Sequence, residues 1–175
     1  MRRWRGRLLA VLAIAALVHL AAVWAVPRLI MHRLMTGLAA AGADNAALRP
    51  PRPTDAARSV VMPSPDLLYA ICRYDVSKRP LRIAARVPAS YWSVALFADN
   101  SDNFFTLDDR AAGEGPVELV LAAQGARRAA PAGARVIEAP SDTGVVLFRL
   151  FVPNEAALPA LAAAQQEERC APLAE

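Results

Sequence analysis

The sequence predicts a mainly β protein: a small antiparallel β-sandwich or jelly-roll-like domain with a C-terminal helix, preceded by one N-terminal transmembrane helix. Three observations point there. Residues 8–26 carry no charge. Beyond residue 53, apolar side chains recur at every second position in short runs that are punctuated by proline, glycine and aspartate. Only 8 glycines occur in the 175 residues, and none belongs to a phosphate-binding loop between a strand and a helix, which disfavours an α/β nucleotide-binding fold. The length permits one ordinary domain plus an appendage and excludes a large multidomain enzyme.

The chain divides into a basic tip (1–7), a transmembrane helix (8–26), a juxtamembrane helix with a proline-rich linker (27–53) and an exported β-rich domain (54–175). Lys and Arg total 20 against 16 Asp and Glu, a net charge of +4. Arg2, Arg3, Arg5 and Arg7 account for that excess, and no acid precedes Asp44. The remainder is neutral. Nucleic-acid binding therefore loses its electrostatic basis, and a neutral, apolar chain argues against disorder.

Residues 8–26 (LLAVLAIAALVHLAAVWAV) would span about 28 Å as a helix, close to the thickness of a hydrocarbon core. Four preceding arginines keep the N-terminus cytoplasmic by the positive-inside rule, with Trp24 near the far interface and everything beyond it exported. The competing reading is a cleavable signal peptide, with small residues flanking Trp24 at Val23 and Ala25; the apolar run is longer than the usual 7–15-residue signal core. His19 lacks a second polar partner for a proton path and reads as a local hydrogen-bonding group. Leu29, Ile30, Leu34, Met35 and Leu38 keep helical spacing around Arg28, His32 and Arg33, so the helix continues past the membrane or lies on its surface. Residues 39–53, with Gly42 and three prolines, read as an extended spacer.

From Ser59 onward strands dominate. Leu81, Ile83, Ala85 and Val87 alternate with Arg82, Ala84 and Arg86, and Trp92, Val94, Leu96 and Ala98 continue the two-residue period; the two runs are expected to form a hairpin or close neighbours. Residues 117–121 follow Gly113-Glu114-Gly115-Pro116, residues 135–138 follow Pro131 and Gly133, and residues 144–152 are apolar enough for the middle of a sheet until Pro153 stops them. Residues 155–168 predict a helix with Pro159 in its first turn.

Cys72 lies in a predicted strand over 67–72 and Cys170 beyond the C-terminal helix. Two distant cysteines do not make a zinc site, and without a Cys-x-x-Cys pair a redox enzyme is disfavoured. In an exported domain they are candidates for a disulfide, which in the chain-entropy model adds about 4–5 kcal/mol. The alternative is a buried apolar Cys72 and a mobile free thiol at Cys170.

The stretch VVMPSPDLLYAICRYDVSKRPLRIAARVPASYWSVALFADNSDNFFTLDDR contains, in order, Pro65, Asp66 and Tyr69, then Asp75 and Ser77, then Tyr91, Trp92 and Ser93, then Asn100, Asp102, Asn103 and Phe104. A Pro-Ser-Asp turn at Pro140, Ser141 and Asp142 precedes the last long apolar run. This ordered set resembles the DUF1254 domain family, particularly its short membrane-anchored proteobacterial members; Ser64 stands where that pattern has asparagine. The resemblance implies a β-sandwich or jelly-roll fold in a bitopic or exported bacterial envelope protein, and it brings no established reaction. Longer relatives carry a second domain, so a site built between two domains would be lost or supplied by a partner.

The densest polar cluster is Asp99-Asn100-Ser101-Asp102-Asn103 with Asp108-Asp109. Phe104 and Arg110 occupy the positions where a calcium loop needs glycine and a bidentate glutamate, so an Asx turn is the expected reading. Both histidines lie in or beside the span, which leaves a Ser-His-Asp mechanism without a base. Ser77-Lys78, neighbours on a turn, do not face one another as a dyad needs. Asp66, Tyr69, Tyr91, Trp92, Asn100, Asp102 and Asn103 are the ligand-binding candidates, with Tyr69, Tyr91 and Trp92 as an aromatic surface; the alternation of Trp92 with Val94 and Leu96 equally places it in the core. No catalytic residue, metal or cofactor is assigned. The expected function is a single-pass inner-membrane protein with a periplasmic, non-enzymatic binding or envelope-interaction module. Its expected partners are the lipid bilayer and an envelope protein or small polar ligand, with no nucleic acid. The alternative is an exported hydrolase-like or ligand-processing domain using Asp66, Asp99 and Asp102.

Overall fold

A computed structural model describes residues 2–58, 62–113, 115–125 and 133–173. Ser59, Glu114 and Pro131, which figured in the strand boundaries above, lie outside these. Helix α1 (Arg2–Ala40) is followed by β1 (Leu67–Asp75), β2 (Leu81–Val87), β3 (Trp92–Ala98), β4 (Asn103–Asp108) and the single turn α2 (Asp109–Ala112). Then come β5 (Gly115–Ala123), β6 (Arg135–Ala139), β7 (Thr143–Phe151), a 3-10 turn (Glu155–Ala157), α3 (Leu158–Glu167) and β8 (Arg169–Pro172).

Two four-stranded sheets form, one in the order β1-β7-β3-β4 and the other β6-β5-β2-β8. The fold is mainly β, as the period-two runs predict, and β7 sits inside its sheet. The first sheet is antiparallel throughout, whereas β5 and β6 run parallel, so the second is mixed. β2 and β3 are not a hairpin: they belong to different sheets. Alternation specifies which face of a strand is buried but not which sheet receives it, and here the residues after Pro88 carry the chain from one layer to the other. Their inward faces meet in one core that includes Cys72, Tyr74, Trp92, Leu96 and Phe148 from the first sheet and Leu81, Ile83, Leu121 and Cys170 from the second. Asn154 caps the 3-10 turn by accepting from the Ala157 amide at 3.1 Å, and Pro159 occupies the first turn of α3, where its missing N–H costs nothing.

Part of the outward face of the first sheet, at Ile71, Phe97 and Val145, is packed by the C-terminal end of α1. Over residues 8–26 the large side chains of this helix are exposed, Leu17 at 69% and Leu20 at 68%. It passes through Pro27 without ending. The Arg28 guanidinium donates to the Trp24 carbonyl at 2.8 Å and lies 4.5 Å over its ring, marking where the apolar stretch meets polar surroundings. Met31 and Leu38 then bury against Ala43 and Val145, with Leu34, Met35, Leu48, Ile71 and Phe97 packed alongside. Met31, Leu34 and Leu38 recur at three- and four-residue intervals and so share one helix face.

The spacer expected over 39–53 is in part structural. Leu48 and Ile71 exchange both backbone hydrogen bonds, at 2.8 and 2.9 Å, and the Asn45 amide donates to the Arg73 carbonyl at 2.8 Å. Asn45 takes φ 49°, a left-handed conformation asparagine tolerates, and its side chain bonds both the amide and the carbonyl of Asp75. Physically, β1 is an edge strand whose free N–H and C=O groups need a partner, and this segment supplies it.

Candidate functional site

The register places the predicted site residues at two ends of the sandwich. Leu68, Leu150 and Trp92 stand abreast across β1, β7 and β3, as do Tyr74, Gly144 and Ala98 at the other end. Asp66, Tyr69, Tyr91 and Trp92 therefore lie at the first end, and Asp99, Asn100, Asp102 and Asn103 at the second, roughly 20 Å away at the strand rise per residue. The carboxylates of Asp66, Asp99 and Asp102 do not converge.

At the second end the polar letters are consumed by a turn. Asn100 Nδ2 donates to Asp102 Oδ2 at 2.6 Å, the Asp102 amide donates back to Asn100 Oδ1 at 3.0 Å, and Ser101 takes φ 72° between them. Asn103 Nδ2 donates to the Leu96 carbonyl at 3.3 Å and its Oδ1 accepts from Thr106, fitting the bulge where β3 and β4 shift register. Among the described residues no group of three His, Cys, Asp or Glu side chains is placed to hold a metal ion. Ser77 donates to Asp75 Oδ1 at 2.6 Å, which holds that carboxyl below its usual range and commits the hydroxyl. Asp108 caps α2 by accepting from the Ala111 amide at 2.8 Å.

Tyr74 and Gly144 explain the Pro-Ser-Asp turn and the strand after it. A Cβ on Gly144 would meet the Phe97 carbonyl oxygen at 2.2 Å and the Tyr74 hydroxyl at 2.5 Å. Only a glycine allows the Tyr74 phenol to lie there, fully buried, where desolvation pushes its pKa up to about 12. Ser141 ties the corner together, accepting from the Asp99 amide at 3.1 Å and donating to the Thr143 carbonyl at 2.7 Å.

At the first end, Asp66 and Tyr69 pin the start of β1. The Asp66 carbonyl accepts from the Val152 amide at 2.8 Å, and the Tyr69 hydroxyl accepts from the Ser64 amide at 3.0 Å. Tyr91 is exposed, donates to Ser93 Oγ at 3.1 Å, and lines an open depression of about 690 Å³ with Arg86, Ser90, Asp109 and Gly113. Ser90 is spent on the Phe151 carbonyl at 2.7 Å, and Arg86 faces Glu167 at 3.4 Å.

The aromatic surface built from Tyr69, Tyr91 and Trp92 does not form, because Trp92 has no exposed area and packs into the core against Phe148. Its indole N–H instead donates to Glu168 Oε1 at 3.1 Å. Glu168 is also fully buried, and its second oxygen has no hydrogen-bond partner among the described residues. Desolvation is the largest influence on this carboxyl and pushes its pKa up to about 8, with the Trp92 hydrogen bond and the Arg49 charge opposing it. Arg49 reaches from the segment before β1 to the end of α3: Nε donates to the Gln165 carbonyl at 2.8 Å, and a terminal nitrogen donates to the Glu168 carbonyl. It adds a charged donor at the C-terminal end of α3, where the Gln165 carbonyl also accepts from the Glu168 amide at 3.2 Å.

Glu168 is the polar residue that the sequence hides. It stands in a Gln-Gln-Glu-Glu-Arg run that reads as a solvated helix end. The one signal is its two-residue spacing from Cys170, which puts both on one side once residues 169–172 become β8. Cys170 is inside this strand, not on a mobile tail. Both Cys72 and Cys170 are buried thiols, and they belong to the same core cluster.

Comparison with known proteins agrees with this architecture. No curated protein matches the chain. The VPA0106 protein from Vibrio parahaemolyticus has a similar structure, with a TM-score of 0.67 and 14% identity over 84% of this chain and 35% of that one. A putative uncharacterized protein from Burkholderia cenocepacia has a TM-score of 0.50 and 17% identity over 75% of this chain and 35% of its own. Both likenesses concern the fold, and this chain spans about a third of the length of either neighbour. Residues 45–172 match the family described as "Protein of unknown function (DUF1254)", and that stretch includes the edge segment at Leu48, both sheets, Trp92 and Glu168. The chain belongs to the DUF1254 family.

Proposed function

We infer that the protein is a single-pass inner-membrane protein whose N-terminus is cytoplasmic and whose DUF1254 domain faces the periplasm as a binding or envelope-interaction module without a reaction of its own. The observation that carries this reading is the contrast within α1: residues 8–26 present apolar side chains on every side, while Met31 and Leu38 of the same helix are buried against the domain. A helix apolar all round needs a lipid or protein environment. Four arginines before it favour a cytoplasmic N-terminus. The non-enzymatic part is supported by Asp66 lying at the opposite end of the sandwich from Asp99 and Asp102, and by the Asp102 and Asp108 carboxylates bonding within their own turn and cap.

Docking of α1 makes the anchor short and stiff, so the domain stands close to the bilayer. The partner is then an envelope protein or polar ligand reachable from that position. Photocrosslinking in native envelopes, from a probe placed at exposed Tyr91 and from a second at exposed Asp102, tests it. A reproducible adduct from one position supports the module reading; the absence of any adduct from both, with the protein intact in the membrane, overturns it.

A further inference from the structure

We propose that Cys72 and Cys170 are joined in the mature protein by a disulfide that staples the two sheets across the core. Cys72 lies in β1 opposite Val146, with its side chain on the inward face. Cys170 lies in β8 opposite Ile83, also facing inward. The two belong to opposite layers and are buried in the same core cluster. Among the described residues β8 pairs through residues 81–84 of β2 alone, at a sheet edge, and is four residues long. A covalent link to β1, a strand held on one side by β7 and on the other by the segment at Leu48, would secure this weak edge.

The same surroundings say when the bond forms. The thiolate is the attacking species in disulfide exchange. Burial, first of all, raises the Cys170 thiol well above its ordinary value; Cys72 and Glu168 push the same way and only Arg49 opposes them. In the folded protein Cys170 is thus held as the thiol and both sulfurs are buried away from an incoming oxidant, so the exchange belongs to the unfolded chain as it emerges. One thiolate attacks an incoming disulfide of an envelope thiol-oxidising protein to give a mixed disulfide. The second thiolate then displaces the oxidant's sulfur. One S–S bond forms within the chain and one is cleaved in the oxidant, which takes up two electrons and two protons as a dithiol.

This inference rests on the export reading, and the test separates the two. Full-length protein from native envelopes is denatured without reductant and treated with a thiol-alkylating maleimide, while a C-terminal topology reporter is read in the same cells. Expected is no alkylation before reduction and two adducts after it. Two adducts before reduction, with a periplasmic reporter, would overturn the disulfide and leave the export reading standing. A cytoplasmic reporter overturns the export reading. The disulfide is then decided by refolding the reduced full-length chain in detergent with oxidised glutathione: intramolecular closure supports it, and two persistent thiols refute it. Adding reductant during unfolding should lower the denaturant midpoint of the wild type and leave the Cys72→Ala/Cys170→Ala variant unmoved. Equal insensitivity in both contradicts the stapling role.

Discussion

Trp92 and Glu168 meet in the core of the sandwich, indole N–H to carboxyl oxygen at 3.1 Å, with neither side chain exposed. The contact joins β3 of one sheet to the junction of α3 and β8 beside the other, so it holds the two layers in place. Its cost is an unpartnered oxygen in the interior.

That cost makes stability depend on pH. The Glu168 carboxyl titrates at about 8 in the folded chain against 4.5 for an ordinary glutamate. The unfolded chain therefore loses its proton first as pH rises, and this residue draws stability down between those two values, by at most about 1.4 kcal/mol per pH unit. Below the window both states are protonated and the loss disappears. Glu168→Gln keeps an acceptor for Trp92 and cannot ionise. Denaturant unfolding should show the variant gaining on the wild type from pH 5 to pH 8.5; parallel profiles would refute the buried-carboxyl account.

Arg49 closes the same region from outside by bonding the last carbonyls of α3. Arg49→Ala should destabilise the domain by about 1.5–3 kcal/mol, the range for hydrogen bonds to charged groups. Arg49→Lys recovers only part, because an ammonium cannot span the carbonyls as the planar fork does. Hydrogen exchange at residues 165–170 should rise in the alanine variant; protection unchanged there would remove Arg49 from this role.

Gly144 is required by contact, not by backbone conformation. In Gly144→Ala the new methyl meets the Phe97 carbonyl and the Tyr74 hydroxyl, and a loss of about 2–4 kcal/mol is expected. Tyr74→Phe in that background removes the closer side-chain atom and should restore a fraction. Thermal unfolding of the two variants and their combination measures it, and a neutral Gly144→Ala would show that the strands part more easily than their packing implies.

Leu38 fastens α1 to the domain. Leu38→Ala removes a buried side chain from the α1 interface and should cost about 2–3 kcal/mol of docking. The measurable consequence is faster proteolysis between Ala40 and Pro53, where the wild type is tied to β1 at Leu48 and Asn45. Equal cleavage rates would mean that α1 and the sheet are not held together by this contact.

Much of the fold is legible because alternation and proline placement are local signals. Strands over 81–87 and 92–98, the inner position of β7 and the C-terminal helix follow from them. The assignment of β2 and β3 to different layers does not, since that depends on pairing with β5 and β7 far along the chain. β8 is illegible for a related reason: it holds four residues, of which only Cys170 is buried. The candidate site was partly visible. Asn100 and Asp102 read as an Asx turn and form one, whereas Glu168 escaped notice because a buried carboxyl is recognisable only once Trp92 and the end of α3 are in place around it. The prolines near residue 50 suggested a free spacer because local composition does not reveal that β1 needs an edge partner.

In the proposed topology α1 anchors the domain in the membrane with the β-sandwich on the far side. Alkaline phosphatase fused to the C-terminus, compared with a reporter active only in the cytoplasm, tests it most directly. The account predicts an active phosphatase in the membrane fraction with the cytoplasmic reporter silent. An inactive phosphatase with an active cytoplasmic reporter would contradict it.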